Sequence, residues 1–188
     1  MSVVSTLIDD HLHTVSTLRD QVTRIEALGQ VLVACLRAGN KVLLCGNGGS
    51  AADAQHIAAE MVCRFERARR GLPAIALTTD TSALTAIGND FGFERLFARQ
   101  VESLGQPGDV LIAISTSGNS VNVAAAVESA QAMGVKCIGL LGGSGGAIGE
   151  RVEYPLVIAS GVTARIQECH ILVGHIWCAM IDAAFSAE

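Results

Sequence analysis

Hydrophobic positions recur along this chain with two periods, and the switches between them mark its elements. From Ser5 to Ala38 no proline interrupts, and Leu7, Val15, Leu18, Val22 and Ile25 fall at helical spacing. Thr23 with Glu26 fits a capping box, so two helices, or one broken helix, are expected there, and Gly39-Asn40 is a stop signal. Short runs of strand formers follow at Lys41–Cys45, Pro73–Leu77, Val110–Ile114, Val135–Leu141 and Tyr154–Ala159. Between them the pattern predicts helices from Ala51 to Arg64, ending near Phe65, from Val121 to Met133, and from Thr163 to about Phe185. A short helix capped within Thr78–Thr81 runs through Ile87, is ended by Gly88-Asn89-Asp90, and restarts at Phe91-Gly92-Phe93 toward Leu104.

A unit of strand, polar turn and helix thus repeats. It predicts an α/β fold: a three-layer, doubly wound sheet of about five mainly parallel strands, with right-handed crossovers and ligands at the strand C-terminal ends. One domain, 1–188, is expected: residues 1–40 as a helical extension used in oligomer packing, and 41–188 as the α/β core.

Composition narrows the chemistry. Half of the residues are hydrophobic but only 4% are aromatic, which suits an Ala/Val/Ile/Leu core around parallel strands. The net charge of −5 argues against non-specific nucleic-acid binding, so no nucleic acid is expected as a partner. Six cysteines without a C-x-x-C pair read as reduced, buried thiols. The N-terminus lacks the basic stretch of a signal peptide, and no apolar run is long and clean enough to cross a membrane, so a cytoplasmic protein without membrane association is expected.

Two turns carry the candidate chemistry. Cys45-Gly46-Asn47-Gly48-Gly49-Ser50 joins a strand to a helix, an arrangement that aims backbone N–H groups and a positive helix end at an anion. Ser50 is the expected N-cap, paired with Asp53 in the manner of a capping box. His56 and Glu60, four apart, share one face of that helix. The run Arg64-Phe65-Glu66-Arg67-Ala68-Arg69-Arg70 reads as a solvated helix end, or as presenting Arg64 to an anionic substrate. The second turn, Ser115-Thr116-Ser117-Gly118-Asn119-Ser120, sets four hydroxyls at a helix start, which fits a phosphate monoester without any lysine; a plain capped turn would need only Ser120. Asn89 and Asp90 are either a simple turn or polar groups at the mouth of a site. Gln167, Ile171 and His175 form one stripe on the last helix, so Gln167 and His175 are either satisfied core groups or site groups. The glycine-dense segment 142–146 reads as a flexible connector. Neither turn is a dinucleotide fingerprint or a Walker loop.

With both turns read, the chain resembles the sugar isomerase (SIS) domain proteins, and among them the bacterial phosphoheptose isomerases. The segments that carry the resemblance are CGNGGSAADAQHIAAE, LPAIALTTDTSALTAIGNDFGF, GDVLIAISTSGNSVNV and ARIQECHILVGH. It implies a flavodoxin-like SIS fold and conversion of sedoheptulose 7-phosphate to D-glycero-D-manno-heptose 7-phosphate through an enediol, the first step toward ADP-heptose for lipopolysaccharide core or related glycans. It also implies Asn47, Gly48, Gly49 and Ser50 at the sugar, Ser115, Thr116, Ser117 and Ser120 at the phosphate, and Asn89 and Asp90 at sugar hydroxyls. Glu60 would be the general base and His175 its partner. One zinc ion per subunit would be held by His56, Glu60, Gln167 and His175, in a homotetramer with sites between subunits. The position before Arg165, Asp in some isomerases, is Ala164 here. Relatives that associate with the replication initiator DnaA define the alternative, a non-catalytic phosphosugar-binding protein; in those relatives the positions of Glu60 and His175 hold residues unfit for acid–base work, and both are intact here.

Overall fold

The computed structural model describes residues 2–186; residue 1 and residues 187–188 of the expected 1–188 domain lie outside the described residues. The chain opens with α1 (Val3–Ser16), passes through a 3-10 turn (Thr17–Gln21) and continues as α2 (Val22–Arg37). The capping box expected at Thr23 and Glu26 is not formed: α2 begins at Val22 without a side-chain cap. The 3-10 turn brings the backbone in already coiled, so there is no open start to cap. The stop at Gly39 is as expected. Gly39 takes a left-handed conformation (φ 80°), its N–H donates to Leu36 O, and Asn40 N–H donates to Cys35 O, the paired closure of a Schellman motif.

Five strands follow: β1 (Val42–Gly46), β2 (Ala74–Ala76), β3 (Val110–Ser115), β4 (Lys136–Gly142) and β5 (Tyr154–Ile158). They form one sheet in the order β2-β1-β3-β4-β5, every pair parallel. The connecting helices are α3 (Gly49–Val62), α4 (Thr81–Phe91), α5 (Ala98–Leu104), α6 (Val121–Ala132), the four-residue α7 (Gly146–Gly149) and α8 (Thr163–Phe185). Strand residues alternate between two cores, as the pleat requires. Val42, Leu44, Ile112, Ile114 and Leu140 face α2, α3 and α8; Leu43, Cys45, Leu111, Ala113 and Leu141 face α5, α6 and α7. The three-layer α/β architecture expected from the repeating units is therefore present.

The long helix α8 organises the first of these cores. Trp177 is buried in it and donates its indole N–H to Ile25 O on α2 at 3.0 Å. Among the described residues this is the one helix with the length and apolar character of a membrane span, and half of that stretch is buried inside the fold against α2 and α3. Its hydrophobicity is that of a core helix. The strand order reverses direction between β1 and β3, so the turns after these two strands flank the crevice where doubly wound sheets receive ligands.

Candidate active site

The first turn differs from its sequence reading. The N-cap of α3 is Gly48, not Ser50, and no side chain caps the helix. Gly48 (φ 56°, ψ −121°) lets the chain turn early, so Gly49 and Ser50 already lie in the helix and Ser50 is buried. Asp53 consequently does not cap: its Oδ2 is buried with no hydrogen-bond partner, and burial pushes its carboxyl up to about 6 against the opposing pull of His56. No side chain caps the helix start; Ser50 and Ala51 N–H close back on Asn47 O and Gly48 O within the turn.

Further along α3 stand His56 and Glu60, with His56 Nε2 3.4 Å from Glu60 Oε1. Across from them His175 projects from α8, its Nε2 3.0 Å from His56 Nε2. Two imidazole nitrogens this close either share one proton or face a common cation. Phe65 stacks on the other side of His175, ring centroids 5.3 Å apart at 28°. The two helices approach closely enough for this because Gly174 has no side chain; a Cβ there would stand 2.5 Å from Ile57 Cδ1. Gln167, two turns before His175, lies over the start of α3, where a Cβ on Gly49 would stand 2.3 Å from its Nε2. His56, Glu60, Gln167 and His175 thus line the α3–α8 contact. Among the described residues no three His, Cys, Asp or Glu side chains form a closed metal cluster.

At the second turn Ser120 is the N-cap residue of α6, yet its side chain makes no cap hydrogen bond. Its hydroxyl pairs with that of Ser115 at 3.0 Å instead. The plain capped turn is therefore not what forms. Ser117 Oγ accepts from Asn119 N–H, and Thr116 stands between Ser115 and Ser117 in the turn. The glycine-dense segment is not a loose connector. Ile148 N–H donates to Gly118 O and Ala147 N–H to Asn119 Oδ1, and a Cβ on Gly118 would fall 2.0 Å from Gly145 O. The two turns are tied together by Asn47 and Asn122, the second of which is 2% exposed.

The helix bounds around Arg64, Asn89 and Asp90 differ from their sequence reading. α3 ends at Val62, where Cys63 leaves the helical region, so Arg64 lies beyond the helix and is exposed rather than in its last turns. The charge run that follows is not wholly solvated: the Arg69 side chain is fully buried against Asp182. Gly88, Asn89 and Asp90 do not end their helix; α4 continues to Phe91, and Asn89 Nδ2 donates to Asp90 Oδ1 on its exposed end. The structure thus gathers His56, Glu60 and His175 at one place and Ser115 and Ser120 at another, with Gln167 against the start of α3. It leaves Arg64, Asn89 and Asp90 at the surface of this single chain. Asn122, Phe65 and the Arg69–Asp182 pair were not singled out by sequence. Asp182 carried one signal, a lone acid in the apolar run Trp177–Phe185.

This fold and these turns define a class. A family profile described as SIS domain matches residues 8–142, and the chain belongs to that family. Among curated relatives, a phosphoheptose isomerase from a Nitratiruptor species is 61% identical over 155 residues, 82% of this chain and 83% of that protein. One from Campylobacter concisus is 52% identical over 184 residues, 98% of this chain and 97% of that protein. The solved structure of a phosphoheptose isomerase from Neisseria gonorrhoeae superposes with a TM-score of 0.91 at 44% identity, covering 96% of this chain and 97% of that one. Within the SIS proteins, the phosphoheptose isomerases are its relatives.

Proposed function

We propose that this chain is an aldose–ketose isomerase that converts sedoheptulose 7-phosphate to D-glycero-D-manno-heptose 7-phosphate. The observation that carries this reading is Glu60 beside the His56–His175 pair, where α3 meets α8. The phosphate is held by Ser115, Thr116, Ser117 and Ser120. The sugar lies along Asn47, Gly48, Gly49 and Ser50, with Gln167 above, and Arg64, Asn89 and Asp90 reach it at the rim. Glu60 takes the proton from C1 of the open-chain ketose. His175 gives a proton to O2 as the C1 proton leaves, which yields the cis-enediol; O1 then gives its proton to His175 while Glu60 returns the first proton at C2, leaving the aldehyde at C1. Binding of the distant phosphate positions C1 and C2 against the base.

One zinc ion per subunit belongs to this reading, held by His56, Glu60, Gln167 and His175. The donor set of two imidazoles, a carboxylate and an amide suits it, as does the unpartnered Asp53 Oδ2 one turn before His56, whose ionised form a nearby cation favours. When bound it supplies Lewis acidity toward the sugar oxygens. A cytoplasmic homotetramer completes the reading, supported by the apolar residues Val3, Val4, Leu7, Ile8 and Leu12 that α1 exposes.

The test is an NMR assay of purified protein with sedoheptulose 7-phosphate, run beside Glu60→Gln and after chelation. Conversion to the aldose that is lost in the variant supports the isomerase, and loss on chelation supports the metal. Tight binding without conversion by folded wild-type protein would sink the catalytic reading in favour of a phosphosugar sensor acting through a protein partner.

A further inference from the structure

Helix α3 ends at Val62, and its last carbonyls face away from any continuing helix. Arg69, returning from the surface strap 63–70, closes that end. Its Nη2 donates to Glu60 O at 2.8 Å and its Nη1 to Met61 O at 2.9 Å. Its Nε donates to Asp182 Oδ1 on α8 at 2.7 Å. Asp182 Oδ2 accepts the backbone N–H groups of Glu66 and Arg67, both at 2.7 Å. The Arg69 side chain is 0% exposed and that of Asp182 1%. The knot therefore ties the backbone of Glu60 and its neighbour to the helix that carries His175 two turns earlier. The same strap holds Phe65 against the His175 ring.

A buried ion pair of this kind is a poor source of stability compared with apolar packing, but it fixes geometry in a way that packing does not. A guanidinium fork sets distances and angles together. A carboxylate that accepts two main-chain N–H groups pins the strap at a single register. We infer that Arg69 and Asp182 are positioning residues for the proposed isomerisation, setting α3 against α8 so that Glu60 and His175 meet one substrate in a single arrangement. Neither residue touches the substrate in this scheme. The inference rests on the proposed roles of Glu60 and His175 and adds the device that aligns them.

The experiment compares wild type with Asp182→Asn and the milder Arg69→Lys. It follows heptose phosphate turnover and the imidazole 15N resonances of His56 and His175, with folding checked by circular dichroism on the same samples. A misplacement near 1 Å costs about 100-fold, so kcat is expected to fall roughly 10- to 100-fold while KM stays within about threefold, the phosphate turn being untouched. The His56 and His175 resonances are expected to move, and those of His11 and His13 on α1 to stay. In a Glu60→Gln background Asp182→Asn is expected to remove little further activity, because it acts through Glu60. Folded variants with wild-type kcat and unmoved His56 and His175 resonances would overturn the inference, as would a loss carried entirely by KM. Wild-type protein without turnover, but with resonances that move in the variants, would refute the isomerase reading and leave the alignment of the two helices standing. If Asp182→Asn does not fold, Arg69→Lys alone decides by the same readouts.

Discussion

Asn47 and Asn122 exchange both side-chain amides, each Nδ2 donating to the other's Oδ1 at 2.8 Å. The pair joins the turn after β1 to the first turn of α6, so the two helix starts are held in fixed relation. Removing one partner leaves the other's amide short of its bonds, at about 1–3 kcal/mol. Asn122→Ala is expected to lower the thermal midpoint and raise KM for the sugar phosphate. A double-mutant cycle with Asn47→Ala checks it; additive effects would mean the pair is not coupled.

The Ser115–Ser120 hydroxyl pair gives a second prediction. Ser120→Ala removes a hydroxyl that serves no cap, so helix α6 is expected to keep its stability. A loss of about 1 kcal/mol or more is expected in phosphate affinity instead, read as KM raised about fivefold or more with kcat nearly kept. A fall in the thermal midpoint with unchanged KM would mean that the hydroxyl serves the fold.

Gly49→Ala separates stability from activity. Alanine at a helical position is favoured over glycine by roughly 0.5–1 kcal/mol. The added Cβ, however, would stand 2.3 Å from Gln167 Nε2, a flexible side-chain end that can be pushed aside. The variant is expected to melt no lower than wild type and, in the proposed reading, to lose activity and zinc affinity through the displaced Gln167. Calorimetry and zinc titration on one preparation check both halves.

His170 sets a pH dependence of folding. It is 0% exposed, and its Nε2 donates to Leu141 O at 3.1 Å, so Nδ1 is left as a bare acceptor without a partner. Burial pushes its pKa down from 6.5 to about 4, with the Leu141 carbonyl opposing that shift. Between those values the unfolded chain takes up a proton that the native state refuses, so stability falls as pH falls. The loss from this group is roughly 2–3 kcal/mol between pH 7 and pH 4.5. Denaturant melts at the two pH values are expected to show it, and His170→Gln to flatten it.

The sheet was legible because its signals are local. Each strand is an apolar run bounded by a turn, and Val110–Ile114 in particular reads as a buried central strand and is one. His56 and Glu60 were legible for the same reason, since four residues on a helix fix a shared face. Apart from Ser50, displaced as cap by a local turn, the misses share a cause in contacts between distant segments. Ser50 looks like a cap until Gly48 turns the chain two residues earlier. Arg69 looks solvated until α8 brings Asp182 to it across more than 100 positions. Segment 142–146 looks loose until Gly118 and Asn119 grip it. Asn122 lies two residues past the serine-rich turn, and nothing local says that its partner is Asn47.

That grip on segment 142–146 has a consequence for selectivity. A cup moulded during folding has no ordering left to do when its guest arrives, and so no induced change with which to judge what the guest carries. In the proposed reading it would receive the phosphate end of a six-carbon sugar as readily as that of a seven-carbon one. Discrimination by chain length then falls to the opposite end of the crevice, where only a sugar of the right span brings its carbonyl to Glu60.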